Sequence, residues 1–275
     1  MSQYITIDGL RLHYVDQGEG EPILLLHGWP TSAFLWRNII PALSVRNRVI
    51  ALDLPGFGNS EKSLESSYSF RFYASIISNF LDALEIKAIG LTVHDLGGPI
   101  GLYWAAKNPD RVTKLALLNT IVYSNFSWAV ILFGVACRLP LVRTRLASPA
   151  GLNFAMRIGT SRTFELTREI IEGVQAPFQT REAREALLRA GSNLHPDGFK
   201  EIEAWLPYLT IPVRVVYGEQ DRILPDVAQT MARVKRDLPQ TTITSLPSCG
   251  HFLQEEQPDQ IGEMLADFFA PQAGA

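Results

Sequence analysis

One carboxylate stands where a sharp turn of the chain would expose it. Residues 91–101 read Leu-Thr-Val-His-Asp-Leu-Gly-Gly-Pro-Ile-Gly, an apolar strand-like run that gives way to glycines around Asp95. This is the layout of a nucleophile elbow, a strand-to-helix turn that raises one side chain above a sheet. That side chain is usually Ser, whereas a carboxylate is already ionised and can attack carbon to form an ester. Asp95 therefore predicts displacement at an sp³ carbon that bears a halide or belongs to an epoxide or another strained C–O bond.

A histidine and a second carboxylate follow Asp95 at places that suit a catalytic triad. His251 lies in a loop after the last predicted strand, and an imidazole there suits a general base because its free pKa lies near neutrality. Asp221 lies thirty residues earlier, where a carboxylate would hold the imidazole in one tautomer. Catalytic triads are known to follow this order along the chain, with the nucleophile first, the acid second and the histidine third.

Backbone donors and further polar side chains are expected around these three residues. The backbone N–H groups of Trp29 and Leu96 are predicted to form an oxyanion hole, since Trp29 lies in the loop after an earlier strand. Asn119 ends the strand that precedes the helical region, and His94 neighbours the nucleophile, so both are candidate supports. Glu219 is the second candidate for the acid of the triad.

Aromatic side chains are expected to hold an apolar substrate. The Trp29 ring is predicted to stand in the cleft with its indole N–H available to a ligand, and a packing anchor is the equal alternative. Four further residues are expected to contact the substrate or exclude water from it: Trp128, Phe133, Phe178 and Phe252.

The elements that position these residues alternate between strand and helix. Strands at 4–8 and 10–16 are joined through Asp8 and Gly9, which is a hairpin signal. Further apolar runs predict strands at 22–26, 48–52, 88–93, 114–118, 212–217 and 241–246. Helical spacing follows most of these runs, and that alternation predicts an α/β fold with a mostly parallel eight-stranded sheet flanked by helices.

The alternation stops near residue 120. Residues 122–205 show helical spacing and almost no β-rich run, so we expect a helical cap inserted after the sixth strand. The core domain would then comprise residues 1–121 and 206–275, with the cap covering the ligand-binding edge of the sheet. A helical bundle remote from the site is the alternative. The apolar run 128–137 has about half the length that a bilayer requires and predicts a buried or cleft-lining helix.

Composition argues against several classes of partner. The 275 residues are 47% hydrophobic with a formal net charge of −3, which fits a globular protein without a basic surface for nucleic acid. No signal peptide is visible, so a cytoplasmic protein is expected, monomeric and with no membrane partner. The five histidines show no metal-ligand spacing, and no metal or cofactor is expected. Cys137 and Cys249 are expected to be reduced.

Five stretches resemble the haloalkane dehalogenase and epoxide hydrolase branch of the α/β-hydrolases, over nearly the whole chain. They are HGWPTSAFLWRNIIPAL (27–43), ALDLPGFGNSEK (51–62), VHDLGGPIGL (93–102), YGEQDRILP (217–225) and GHFLQEEQPDQIG (250–262). The resemblance implies the α/β-hydrolase fold and supports Asp95, Asp221 and His251 as the triad. The valine at position 93, two residues before Asp95, resembles the dehalogenase pattern, since epoxide hydrolases usually have glycine at this position.

Two departures from the branch affect the expected activity. Dehalogenases normally carry Trp after the nucleophile to bind the halide, but this chain has Leu96, and it has Trp29 where they often have Asn. Either the Trp29 indole replaces that donor or the halide site is absent. Epoxide hydrolases use lid tyrosines, whereas residues 124–207 contain none and leave only Tyr123 and Tyr208 at the borders.

The sequence therefore predicts dehalogenase-like hydrolysis of a small apolar substrate through an alkyl-enzyme ester that His251-activated water cleaves. Two alternatives stay open. The same triad would also open an epoxide or cleave a lactone or ester. A non-hydrolytic ligand-binding protein could keep the hydrolase frame, since a fold does not fix a function.

Overall fold

An eight-stranded sheet forms the centre of the computed structural model, which describes residues 1–270. The strands are β1 (Ser2–Ile7), β2 (Leu10–Gln17), β3 (Glu21–Leu26), β4 (Asn47–Leu52), β5 (Ile89–Asp95), β6 (Val112–Thr120), β7 (Val213–Gly218) and β8 (Thr242–Leu246). Their order is β1-β2-β4-β3-β5-β6-β7-β8, in which β2 is antiparallel to β1 and β4 and all other neighbours are parallel. The predicted mostly parallel sheet is confirmed.

Helices cover both faces of the sheet and fill the chain between β6 and β7. They are α1 (Ile40–Leu43), α2 (Phe70–Ala83), α3 (Gly97–Lys107), α4 (Trp128–Ala136), α5 (Pro140–Leu146), α6 (Pro149–Gly159), α7 (Arg168–Gln175), α8 (Arg181–Ser192), α9 (Pro196–Trp205), α10 (Val227–Asp237), α11 (Leu253–Glu256) and α12 (Pro258–Phe269). Short 3₁₀ turns lie at Ala33–Trp36, Pro109–Arg111, Ala176–Phe178 and Leu206–Tyr208.

The central strands carry mostly apolar side chains on both faces, and both faces of the sheet are covered. Every residue of β5 is buried. In β3, Ile23 and Leu25 belong to one hydrophobic cluster and Leu24 and Leu26 to another. Successive side chains of a strand point to opposite faces, so the two clusters lie on opposite sides of the sheet. A strand that is buried on both faces usually has a continuous run of apolar residues, and the sequences of the central strands contain such runs.

Local signals set the ends of several elements. Asp8 and Gly9 both have positive φ, 49° and 79°, as the tight turn of a hairpin with the normal strand twist requires. Helix α2 begins after Ser69, whose hydroxyl accepts a hydrogen bond from the Phe72 N–H. The strands lie where the apolar runs predict them, with ends shifted by up to a few residues.

The segment after β6 is helical, as expected, but its first helix is placed differently. We predicted that the run 128–137 is buried or lines a cleft. This prediction is wrong for the outer face of α4, which is exposed. Val130 and Phe133 pack against the core, whereas Trp128 and Leu132 are exposed. The helix lies at the edge of the molecule, so contact with the core covers one side only. Within residues 1–270, no helix combines the length and apolar character needed to cross a bilayer.

Candidate active site

The turn between β5 and α3 raises Asp95 from the edge of the sheet. Asp95 has φ +50°, a left-handed conformation that is strained for a residue with a side chain. The Thr120 hydroxyl donates a hydrogen bond of 2.6 Å to the Asp95 carbonyl and fixes the turn. Gly98 in the first turn of α3 lies against the Thr120 side chain, where an added Cβ would overlap it. The glycines of the motif therefore allow this close approach.

A backbone donor holds one oxygen of the Asp95 carboxylate. The Trp29 N–H donates to Oδ1 at 2.6 Å, and the Leu96 N–H also interacts with the carboxylate. Gly28 passes so close that a Cβ added there would overlap Asp95. The two backbone groups predicted to form an oxyanion hole thus both lie at this carboxylate.

His251 faces the second oxygen of the Asp95 carboxylate. Its Nε2 lies 3.4 Å from Asp95 Oδ2, and it has no other polar partner within residues 1–270. On the other side of the ring, the Nδ1–H donates to Asp221 Oδ2 at 2.8 Å. The side chains of His251 and Asp221 are fully buried, whereas Asp95 keeps slight exposure. The structure thus brings together the three residues that the sequence predicts as a triad.

Asp221 is held by hydrogen bonds to both of its oxygens. Asn119 Nδ2 donates to Oδ2 at 2.6 Å, and the N–H groups of Ile223 and Leu224 donate to Oδ1 at 2.8 Å. The Asn119 amide oxygen also accepts from the Gly218 N–H at 2.9 Å. Asn119 therefore joins the ends of β6 and β7 and orients the carboxylate that orients His251. Glu219, the alternative acid, is exposed.

His94 supports the backbone of His251. Its Nε2–H donates to the His251 carbonyl at 2.9 Å, and the centres of the two rings lie 4.6 Å apart. Burial, and then the nearby charge of His251, lowers the pKa of His94 to about 3. His94 is therefore neutral and serves as a fixed hydrogen-bond donor beneath the site.

Charges in the site favour an ionised carboxylate beside an imidazolium. Burial alone would raise the pKa of Asp95, but the hydrogen bond and charge of His251 outweigh it and hold that pKa below its usual value. Burial alone would likewise lower the pKa of His251. The charges and hydrogen bonds of Asp221 and Asp95 reverse this and raise the pKa of His251 to about 10.

Two residues that the sequence analysis did not assign also position the site. His27 links two loops, because its Nδ1–H donates to the Gly28 carbonyl at 3.0 Å and its Nε2 accepts from the Leu54 N–H at 3.1 Å. The Gly159 carbonyl at the end of α6 accepts the His251 N–H. The motif beginning at His27 offered a signal for the first contact. The second arises from packing between segments distant in the chain, and no local pattern encodes it.

The Trp29 ring packs against the inserted helices, and its indole N–H has no partner among the described residues. Its ring packs edge-to-face on Phe133 of α4, with 4.9 Å between ring centres, and it lies against Gly191 of α8. The indole N–H is buried and has no acceptor among the described residues. Trp29 therefore anchors the inserted helices while leaving one buried donor free.

The four aromatic residues predicted to contact the substrate lie in different surroundings. Trp128 is exposed on the outer side of α4, because that helix covers the core with its opposite side. Phe178 and Phe252 are buried within the hydrophobic clusters. Phe252 packs against the His251 ring and Gly159, so it supports the loop of the histidine from within the core. Phe133 is the member of the set that contacts Trp29.

Asp53 is a structural carboxylate, and the two cysteines are buried. The Asp53 carboxylate accepts hydrogen bonds from the Ala33 N–H at 2.6 Å and the Asn59 N–H at 2.7 Å. It thereby ties two loops to the end of β4. Cys137 and Cys249 are both buried and unpaired.

Comparison with known proteins places the chain in a family. A model of the alpha/beta hydrolase fold matches residues 21–258. An uncharacterized hydrolase, YugF of Bacillus subtilis, is 32% identical and covers 96% of each chain. A haloalkane dehalogenase of Agrobacterium fabrum is 30% identical over 97% of this chain and 90% of its own.

Further matches agree with this placement. A cis-3-alkyl-4-alkyloxetan-2-one decarboxylase of Shewanella oneidensis is 29% identical over 94% of this chain and 85% of its own. The crystal structure of the haloalkane dehalogenase DbeA from Bradyrhizobium elkani superposes with a TM-score of 0.86 at 27% identity, over 97% of this chain and 96% of that one. The chain is thus an enzyme of hydrolase type that belongs to the α/β-hydrolase fold family, in the branch of the haloalkane dehalogenases.

Proposed function

We propose that this enzyme hydrolyses the carbon–halogen bond of a small apolar substrate through a covalent ester on Asp95. One observation carries the proposal: the two oxygens of the Asp95 carboxylate have different surroundings. Oδ1 accepts the Trp29 N–H at 2.6 Å, whereas Oδ2 lies 3.4 Å from His251 Nε2. One oxygen is therefore held by a fixed backbone donor while the other can attack.

In the first step, Asp95 Oδ2 attacks the alkyl carbon in line with the leaving group. The new C–O bond forms as the carbon–halogen bond breaks, and the halide leaves with the bonding electron pair. The lowered pKa of Asp95 keeps the nucleophile ionised. The Trp29 indole N–H, which has no acceptor among residues 1–270, supports a role for this donor in holding the departing halide.

In the second step, water attacks the carbonyl carbon of the Asp95 ester. Ester formation removes one of the two carboxylate charges that raise the pKa of His251, which favours the neutral imidazole that can take a proton from water. The charge that develops on Oδ1 meets the N–H groups of Trp29 and Leu96. The alcohol then leaves with the oxygen that was Oδ2, and His251 returns the proton to it. The second water proton is lost from the Asp95 carboxyl group, which returns to its carboxylate form.

The helices of residues 122–205 are proposed as a cap over a core of residues 1–121 and 206–275. Contacts of the inserted helices with the site support this division, since Phe133 and Gly191 lie against Trp29 and the Gly159 carbonyl binds the His251 N–H. We further propose that the enzyme acts as a monomer in the cytoplasm, with water as its second substrate and with no cofactor.

A second candidate function is the opening of a strained C–O ring, an epoxide or a lactone, by the same carboxylate. Leu96 favours it, because an aliphatic side chain follows the nucleophile and supplies no side-chain donor for a halide. The oxetan-2-one named for the Shewanella oneidensis relative is a ring of this kind. This candidate yields a ring-opened product without halide release. The intact set of Asp95, His251 and Asp221 argues against a merely ligand-binding protein.

Trapping the ester tests the proposal. When the His251→Gln protein is mixed rapidly with 1-bromobutane, one butyl group should accumulate on Asp95, because the first step proceeds and the second lacks its base. Intact-protein and peptide mass spectrometry locate the group, and the double variant with Asp95→Asn is the control that should stay unmodified. A butyl group on another residue, or no adduct with a bromoalkane, an epoxide or a lactone, would reject the scheme.

A further inference from the structure

Helix α4 is apolar on every side, although the protein covers only one of them. Its sequence, Trp-Ala-Val-Ile-Leu-Phe-Gly-Val-Ala, contains no charged residue. Val130 and Phe133 pack against the core, and the Phe133 ring meets Trp29. A helix that is apolar all round is normally surrounded by a protein core or by lipid. The opposite side of α4 is therefore not covered by the apolar surroundings that its composition favours.

The uncovered residues of α4 form one continuous side. Trp128, Ile131, Leu132 and Val135 follow the spacing i, i+3, i+4 and i+7, and they are 68%, 56%, 58% and 44% exposed. Exposed apolar side chains continue into α5, which packs beside α4. The outer apolar face comprises Trp128, Ile131, Leu132, Val135, Leu139, Leu141 and Val142. Contiguous apolar surface of this kind marks an interaction site.

The segment that carries the outer apolar face is strongly basic. Residues 121–164 contain no Asp or Glu and five arginines, Arg138, Arg143, Arg145, Arg157 and Arg162. Arg143 pairs with Glu185 at 2.8 Å, whereas Arg138 and Arg145 are exposed and have no acidic partner within the described chain. The whole chain has a net charge of −3, so the remainder is acidic and the positive charge is local.

We propose that the outer apolar face docks on the surface of an anionic lipid bilayer. Apolar side chains would enter the boundary between headgroups and acyl chains while the arginines bind anionic headgroups. Helix α4 has nine residues and is too short to cross the bilayer, so it would lie in the interface. This docking would add a membrane surface to the partners expected from composition.

The charge of the segment argues against a second copy of the chain as the partner. A twofold contact would place the same surface on both subunits and bring the arginines of one copy against those of the other. An anionic lipid surface neutralises them instead.

Docking would place lipid next to the site, because the inner side of α4 contacts Trp29, whose N–H binds Asp95. An apolar substrate dissolved in the bilayer would then lie close to the cap. The docking proposal is nevertheless independent of the reaction, since its measurement is lipid binding and not turnover.

Co-sedimentation with vesicles tests the proposal. The protein should bind vesicles of phosphatidylcholine with about 30 mol% phosphatidylglycerol at least about tenfold more tightly than pure phosphatidylcholine, and salt should weaken that binding. Leu132→Asn should weaken it about tenfold by removing one inserted apolar side chain. Arg138→Gln and Arg145→Gln should each weaken it about fivefold.

A matched control separates this face from general hydrophobicity. Val45 is 78% exposed in the loop after α1, so Val45→Asn should leave vesicle binding unchanged. Equal binding to both vesicle types, no binding to either, or equal effects of Leu132→Asn and Val45→Asn would overturn the proposal. A lipid-free dimer in analytical ultracentrifugation that Leu132→Asn dissociates would also overturn it, by assigning the face to self-association.

Discussion

At the scale of single residues, the two oxygens of Asp95 divide the chemistry between them. Oδ1 is fixed by the Trp29 N–H, which would later stabilise a tetrahedral oxyanion, and Oδ2 is left beside His251. A serine at this position would need the imidazole as a base in the first step, whereas a carboxylate frees the imidazole for water in the second. The replacement of serine by Asp95 therefore changes the reaction while the rest of the frame is kept.

The free indole N–H of Trp29 distinguishes the two candidate reactions. If it binds a halide, Trp29→Phe should reduce kcat for halide release about 10-fold to 100-fold, because a hydrogen bond to an ion is lost while the packing ring remains. Opening of a lactone or epoxide should change little. Trp36→Phe is the matched control, since the Trp36 indole N–H is also buried without an acceptor among the described residues but belongs to the other hydrophobic cluster. Equal rates of halide release in both variants would contradict this role of Trp29.

The sequence pattern located the chemistry-bearing residues, whereas it did not specify the surroundings of the aromatic residues. Asp95, Asp221 and His251 follow predicted strands, and the carboxyl ends of parallel strands meet at one edge of the sheet. The local sequence pattern was therefore sufficient to predict that these three residues lie close together. The positions of Trp128, Phe178 and Phe252 depend on which side of a helix or loop meets the core. That choice is made by contacts between distant segments, so apolar composition alone could not supply it.

At the scale of elements, the site depends on how closely the loop after β3 approaches the turn after β5. Gly28 lies against the Asp95 carboxylate, and Gly97 lies against the backbone of residues 26 and 27. These approaches place the Trp29 N–H on Asp95. The strand pattern of the sequence predicted that both loops lie at one edge of the sheet. It did not predict the contact between them, because that contact depends on the register of two neighbouring parallel strands.

A pair of glycine substitutions tests whether activity requires this close approach of the two loops. Gly28→Ala should lower kcat about 100-fold or more, because the added methyl displaces the nucleophile or its backbone donor. In Gly134→Ala the new methyl meets no atom within 4 Å, and helix α4 should gain about 0.5–1 kcal/mol of stability with unchanged kcat. Steady-state kinetics and urea unfolding give both quantities. Wild-type kcat in Gly28→Ala would show that the approach of the two loops is not required.

At the scale of the whole molecule, the buried charges of the site tie stability to pH. The pKa of His251 is raised to about 10, above its value of about 6.5 in an unfolded chain. Protonated His251 therefore stabilises the fold. Its contribution is complete below about pH 6.5 and is lost as pH rises toward about 10. The pH range in which the fold is most stable thus depends partly on the catalytic histidine.

Urea unfolding between about pH 6 and about pH 10 checks this coupling. The excess of the wild-type free energy of unfolding over that of His251→Gln should shrink as pH rises. His195→Gln is the control, because His195 is exposed and lies outside the buried charges of the site. An excess that grows with pH would mean that His251 is neutral in the folded enzyme.

The oxygen that the product carries tests the central claim most directly. In a single turnover of enzyme in excess over a bromoalkane in H₂¹⁸O, the alcohol should contain ordinary oxygen from Asp95, and mass spectrometry should find ¹⁸O in the Asp95 carboxylate. This follows because water attacks the ester carbonyl and not the alkyl carbon. An alcohol that carries ¹⁸O after the first turnover, with unlabelled Asp95, would contradict the account.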